Sequence, residues 1–145
     1  MPRNVWHNVV MGQSAGVPVV PPLAFQLDWK AVEQGVPLSA LEEFADSSGF
    51  TLKDLLEVVI PPRTLKHRRQ RQEPLNLDES DRLARVARVY ALALRVFGNP
   101  EKARRWLSKP KMRFDEQTPL AMLRTDLGGR QVEEMLIQID EGMFA

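Results

Sequence analysis

The chain has 145 residues, 43% of them hydrophobic, with no cysteine and a formal net charge of +1 at neutral pH. That length suits one ordinary domain or two small ones sharing a core. The composition excludes a disulfide framework or a thiolate metal site, makes a reducing cytoplasm the default location, and offers no apolar run near the ~18 residues of a membrane-spanning helix.

The first residues, "MPRNVWHNVVMGQSAG", interrupt their apolar stretch with His7 and Asn8, which makes a poor signal peptide. With Pro2, Pro18, Pro21 and Pro22 and no helical period, residues 1–27 read as an extended or flexible arm. From Asp28 the pattern turns helical. "DWKAVEQG" is a short helix stopped at Gly35, and "PLSALEEFADSSG" sets Leu38, Leu41 and Phe44 or Ala45 on one face before Gly49. "TLKDLLEVV" follows with Thr51 as N-cap and Leu52, Leu55, Leu56 and Val59 facing inward. Pro61-Pro62 ends that helix and opens the next, "PRTLKHRRQRQ".

A longer helix is expected from about Asp78 to Phe97. Its apolar stripe, Leu83, Val86, Ala87, Tyr90, Leu94 and Phe97, fits either an intramolecular core or a dimer contact. Gly98 stops it, and "NPEKARRWL" restarts with Asn99 as cap, Pro100 at the first helical position and Glu101 in the first turn. In "QTPLAMLRTDLGGRQVEEML", Thr118-Pro119 opens a short helix and Gly128-Gly129 reads as a break. The last helix then carries Val132, Met135, Leu136 and Ile139 on one face. No β-alternation of useful length appears, so the fold class is all-α.

The near-neutral total hides strong local bias. Residues 28–57 hold seven acids against Lys30 and Lys53, whereas residues 62–72 hold five basic residues and no acid. Two short helices joined at Ile60-Pro61-Pro62 suggest a helix-turn-helix, although its turn carries a proline pair in place of the Gly-x-Ser/Thr type of signal. On this reading Arg63, Thr64, Lys66, His67, Arg68, Arg69 and Arg71 face DNA, arginine forking onto guanine and neighbouring cations gripping phosphate, while Leu65 anchors the inner side. The competing reading is a solvated charged helix. A second cluster, Arg104, Arg105, Lys109 and Lys111, reads first as a solvated face, and Trp106 and Leu107 read as core.

Catalysis finds little support. The two histidines, His7 and His67, lie in the arm and the basic helix, with no carboxylate cluster at metal-ligand spacing and no glycine-rich phosphate loop. No enzyme activity, metal or cofactor is expected.

Three stretches together resemble the Xre/MbcA/ParS-like antitoxin family. "IPPRTLKHRRQ" looks like its Arg-Thr-Leu-x-x-Arg-Arg segment, and "LDESDRLARVARVYALALRVFGN" like its Leu-x-x-x-Glu-Ser-Asp-Arg-Leu-x-Arg opening. "PEKARRWLSKP" followed by "TPLAMLRTDLGGRQVEEMLIQIDEG" looks like its toxin-binding region. The resemblance spans about Gly35 to Gly142; where the family has a Leu-Gly-Gly-like turn this chain has Phe114-Asp115-Glu116, and residues 1–34 match nothing in the pattern.

What the resemblance implies is an N-terminal Xre/Cro-like helix-turn-helix domain, residues 28–96, joined to a small helical toxin-binding domain, residues 97–145. The implied partners are operator DNA, a second copy of the chain as a homodimer, and a RES-domain, NAD-degrading toxin whose active site is covered. Asp140, Glu141, Gly142, Met143, Phe144 and Ala145 are the expected toxin contacts: two large apolar side chains beyond a terminal glycine, flanked by carboxylates. The alternative is a stand-alone dimeric DNA-binding regulator whose C-terminal part dimerises or senses a ligand.

Overall fold

A computed structural model describes residues 27–142. The arm up to residue 26 and the tail residues Met143, Phe144 and Ala145 lie outside the described residues. Within them the helices are α1 (Trp29–Gln34), α2 (Leu38–Ser48), α3 (Leu52–Leu56), α4 (Pro62–Arg71), α5 (Leu77–Phe97), α6 (Pro100–Ser108), α7 (Pro119–Met122) and α8 (Asp126–Asp140). A 3₁₀ turn, Met112–Phe114, separates α6 from α7.

Most boundaries follow from local chemistry. The side chains of Asp28, Thr51, Asn99 and Thr118 each accept a hydrogen bond from a backbone N–H three residues on, filling a donor that the helix start leaves orphaned. Gly49 and Gly98 close α2 and α5 in the left-handed conformation. Two readings need correction. Val58 and Val59, taken as the end of a helix, belong to the connection between α3 and α4. Gly128-Gly129 does not break the chain: α8 starts earlier, capped by the Thr125 hydroxyl on the Gly128 N–H, and both glycines sit in its first turn. Their smallness is spent on packing. A Cβ on Gly128 would fall on the carbonyl oxygen of Met122, and one on Gly129 would come within 2.8 Å of Arg85 Cδ.

The long helix α5 is the axis of the molecule, with α1, α2, α6 and α8 packed against it. Leu83, Val86, Ala87, Tyr90 and Leu94 are all buried. The stripe from Leu83 to Leu94 is therefore intramolecular core and not a dimer contact, while Phe97 at its end is half-buried. In this core Tyr90 meets Phe44 and Phe50 edge to face, at 5.8 and 5.7 Å between ring centroids, while the two phenylalanine rings stack on each other at 6.5 Å. Burial raises the Tyr90 phenol above its ordinary pKa, a push partly opposed by the Arg104 cation.

Candidate functional site

The basic helix α4 opens without a side-chain cap: Pro61 is the N-cap and Pro62 the first helical residue. Leu65 is buried and fixes the inner face, as its spacing suggests. The sequence places seven α4 residues against DNA, and the structure sorts them. Arg63, Lys66, His67 and Arg71 are exposed and make no ion pair among the described residues, and Thr64 is half-buried beside them. Arg69 reaches back across 2.8 Å to Glu42 on α2. Arg68 is half-buried and turned toward α5. Its Nε and Nη2 donate to Oε1 and Oε2 of Glu79, both at 3.2 Å, with the Glu79 side chain only 4% exposed.

That carboxylate has a second task. Glu79 Oε1 accepts the Asn76 N–H at 2.8 Å while Asn76 Oδ1 accepts the Glu79 N–H at 2.8 Å, a reciprocal box that starts α5. One residue thus nucleates the long helix and holds the basic helix to it. The stretch "ESDRLAR" continues the pattern. Ser80 Oγ accepts the Val36 N–H at 2.9 Å, and Arg82 Nε donates to the Val59 carbonyl, 3.0 Å away in the α3–α4 connection. Arg85, itself buried, donates to the Leu123 carbonyl at 3.0 Å and to Asp81 at 2.6 Å. One turn further, Arg88 pairs with Glu133 of α8. Positions 79, 82, 85 and 88 wind around α5 and seize, in turn, α4, the connection before it, the end of α7 and α8. Sequence reasoning missed these roles, because a run of charged residues on a helix reads as solvated when its partners lie far away in the chain.

The C-terminal unit is tied differently. Lys111 and Gln117 form an antiparallel bridge, and within it Asp115 (φ +53°) and Glu116 (φ +65°) both adopt the left-handed backbone. The departure from a Leu-Gly-Gly-like turn thus keeps the backbone hand that glycine favours. Phe114 is buried beneath the turn, and Arg113 Nη1 donates to Gln138 Oε1 on α8 at 3.1 Å. Leu107 is buried and Trp106 half-buried, its ring tilted against Phe97 at 5.8 Å and covered by the Lys111 ammonium at 4.9 Å. Burial, then the neighbouring Lys109 charge, lowers the Lys111 pKa. Of the second basic cluster, Arg105 pairs with Glu101 and the Arg104 guanidinium lies against Gly49. Asp140, Glu141 and Gly142 are exposed at the end of α8, Gly142 with φ +78°.

A groove of two parts, about 160 and 250 Å³, runs where the two halves meet, both parts sharing Glu57, Val58 and Arg124. Arg82 lines the larger part beside Pro61.

A family model described as the antitoxin Xre-like helix-turn-helix domain matches residues 30–88. A second, the antitoxin Xre/MbcA/ParS C-terminal toxin-binding domain, matches residues 92–142. The chain belongs to the Xre/MbcA/ParS-like antitoxin family. Among similar curated proteins, "Antitoxin Xre" of Pseudomonas putida is 60% identical over 84 residues, a stretch covering 58% of this chain and about half (53%) of that relative. "Antitoxin Xre" of Yersinia enterocolitica is 24% identical over 99% of this chain and 92% of its own length. "Antitoxin Xre" of Photorhabdus laumondii is 29% identical over 79% of this chain and 78% of its own. Within this family member the two matched ranges meet on α5, so Glu79, Arg82 and Arg85 belong to the first range and grip elements of both. Among the described residues no helix is long and apolar enough to cross a membrane.

Proposed function

We propose that this chain is the antitoxin of a type II toxin–antitoxin module, binding its toxin through the C-terminal unit and operator DNA through α4. The observation that carries the DNA half is a division of labour among cations. Arg68 and Arg69 are held by Glu79 and Glu42, which leaves Arg63, Lys66 and Arg71, with His67, on the exposed surface of a firmly anchored helix. An anchored helix presenting unpaired cations matches what phosphate and major-groove contacts require. One copy offers few contacts, so two copies on paired half-sites are the expected arrangement.

The toxin half rests on the family match to residues 92–142. Following the resemblance, the toxin is a RES-domain enzyme that degrades NAD, its active site is covered by the end of α8 and the tail, and the chain represses its own operon. Asp140 and Glu141, with Met143 and Phe144 beyond Gly142, supply carboxylates and apolar anchors for such a cleft. The work is inhibition by shape and charge, which asks for no catalytic group.

The test is co-production with the protein encoded by the neighbouring reading frame. Restored growth and restored cellular NAD, together with retardation of the upstream promoter DNA by the purified chain, are the expected results. Retarded DNA with no protection would leave a stand-alone regulator. Protection without any change in NAD would remove the RES assignment.

A further inference from the structure

The α4 helix is held unequally along its length, with Leu65 buried near its start and Arg69 paired with Glu42 near its end. Its second half is fixed directly by Arg68 on Glu79. Its first turn, which carries Arg63 and opens at an uncapped Pro61-Pro62, has no side-chain bond of its own to α5. What reaches it is the connection just before, where Arg82 Nε donates to the Val59 carbonyl at 3.0 Å. Val59 and Ile60 are buried on either side of that carbonyl, which makes the arginine bond a strut between the α5 rod and the start of α4.

We propose that Arg82 is a positioning residue for DNA recognition: it sets the height and angle of the α4 N-terminus through the Val59 carbonyl and does not itself touch phosphate. This rests on the DNA-binding reading above. A hydrogen bond from a charged donor to a carbonyl in a part-buried setting is among the stronger neutral-acceptor bonds. Without it the N-terminal turn of α4 is held only by the burial of Ile60 and Leu65 while its far end stays clamped by Glu79, a pivot that displaces Arg63 most.

The rival possibility is physically definite. Arg82 also lines the groove beside Pro61, and a guanidinium there is placed to meet a phosphate directly. Salt separates the two. A phosphate contact made by Arg82 itself is lost, and the log–log salt dependence flattened by about 0.9, whenever the charge is removed, whereas a lost strut flattens it only through the displaced Arg63 and only where the donor to Val59 is lost as well.

The experiment titrates the full chain against its own promoter duplex at several salt concentrations, for wild type, Arg82→Met and Arg82→Gln. Met keeps the apolar stem and removes every donor; Gln removes the charge and keeps an amide donor for the Val59 carbonyl. Circular dichroism of each variant at the assay temperature confirms the folded state. The expected result is affinity about tenfold weaker for Arg82→Met, recovered within about threefold of wild type by Arg82→Gln, with the Arg82→Gln slope equal to that of wild type. A slope flattened in both variants, an affinity unchanged in Arg82→Met, or no recovery by Arg82→Gln overturns the proposal. Should Arg82→Met fail to fold, the comparison of Arg82→Gln with wild type decides on the same two readouts, near-native affinity with an unchanged slope against a flattened one. A wild-type chain that ignores the promoter would refute the DNA-binding reading instead.

Discussion

Arg68 and Glu79, eleven positions apart, meet in a two-pronged ion pair whose carboxylate also caps α5, so that the basic helix and the long helix share one buried anion. Removing Arg68 strands a Glu79 carboxylate that is only 4% exposed, and removing Glu79 takes away both the partner of Arg68 and the cap of α5. Glu79→Ala should cost about 3–5 kcal/mol, the range for breaking a buried pair, with the lost cap contributing. Arg68→Ala should also destabilise measurably, though less, since Glu79 keeps the hydrogen bond from the Asn76 N–H and α5 keeps its cap. Urea unfolding followed by circular dichroism reads both. An Arg68→Ala chain of wild-type stability would refute this assignment.

The exposed cations of α4 behave differently. Arg63→Ala and Lys66→Ala should leave unfolding within about 0.5 kcal/mol of wild type, as surface changes do. Each should flatten the salt dependence of promoter binding by about 0.9 where it neutralises one phosphate. Arg69→Ala, whose charge is already met by Glu42, should flatten it less. Mobility-shift titrations across ionic strength make the comparison.

At the start of α8, alanine is a better helix former than glycine by about 1 kcal/mol, yet packing reverses the preference. Gly128→Ala drives a methyl into the Met122 backbone, and Gly129→Ala drives one into the stem of buried Arg85. Both should lower Tm by overpacking, a cost of about 1–3 kcal/mol or more. Gly128→Ala should be the worse, because a carbonyl cannot step aside as a side chain can. Equal or higher Tm for Gly128→Ala would mean α8 begins elsewhere.

Tyr90 gives an alkaline signature. Its pKa is raised in the folded state, so between the unfolded value of 10.0 and the higher folded value the native chain holds a proton that the unfolded chain has released. Stability is therefore intact below that unfolded value and declines as pH climbs through the folded one. Tyr90→Phe should abolish that decline. Tyr90 is the single tyrosine in the sequence, so tyrosinate absorbance follows it without ambiguity.

Deleting the last four residues, Gly142 to Ala145, should abolish toxin inhibition while promoter binding persists, since α4 and its anchors are untouched. Growth rescue and mobility shift on the same truncated chain separate the two activities.

What the sequence disclosed depended on distance along the chain. Caps at Thr51, Asn99 and Thr118 act over three residues, and their residue types announce them. The burial of Leu65, Leu107 and the α5 stripe follows from helical period alone. Arg68 was grouped with the DNA-facing cations because its partner lies on another helix, and Gly128-Gly129 looked like a stop because the surfaces they admit, Met122 and Arg85, come from elsewhere in the fold. The left-handed pair Asp115-Glu116 is hard to read for a related reason: aspartate visits that backbone hand only occasionally and glutamate more rarely still, and the Lys111–Gln117 bridge holds both there.

The two matched ranges, 30–88 and 92–142, are joined by the uninterrupted helix Leu77–Phe97. A rod transmits register. One residue inserted at its midpoint would swing everything downstream by about 100° and push it out by about 1.5 Å, tearing Arg85 from its acceptor at Leu123. Grafting a foreign C-terminal half onto this front half therefore succeeds only in steps that conserve helical phase, so a lineage acquiring a new adversary is driven to repaint its outer surface rather than to lengthen its spine.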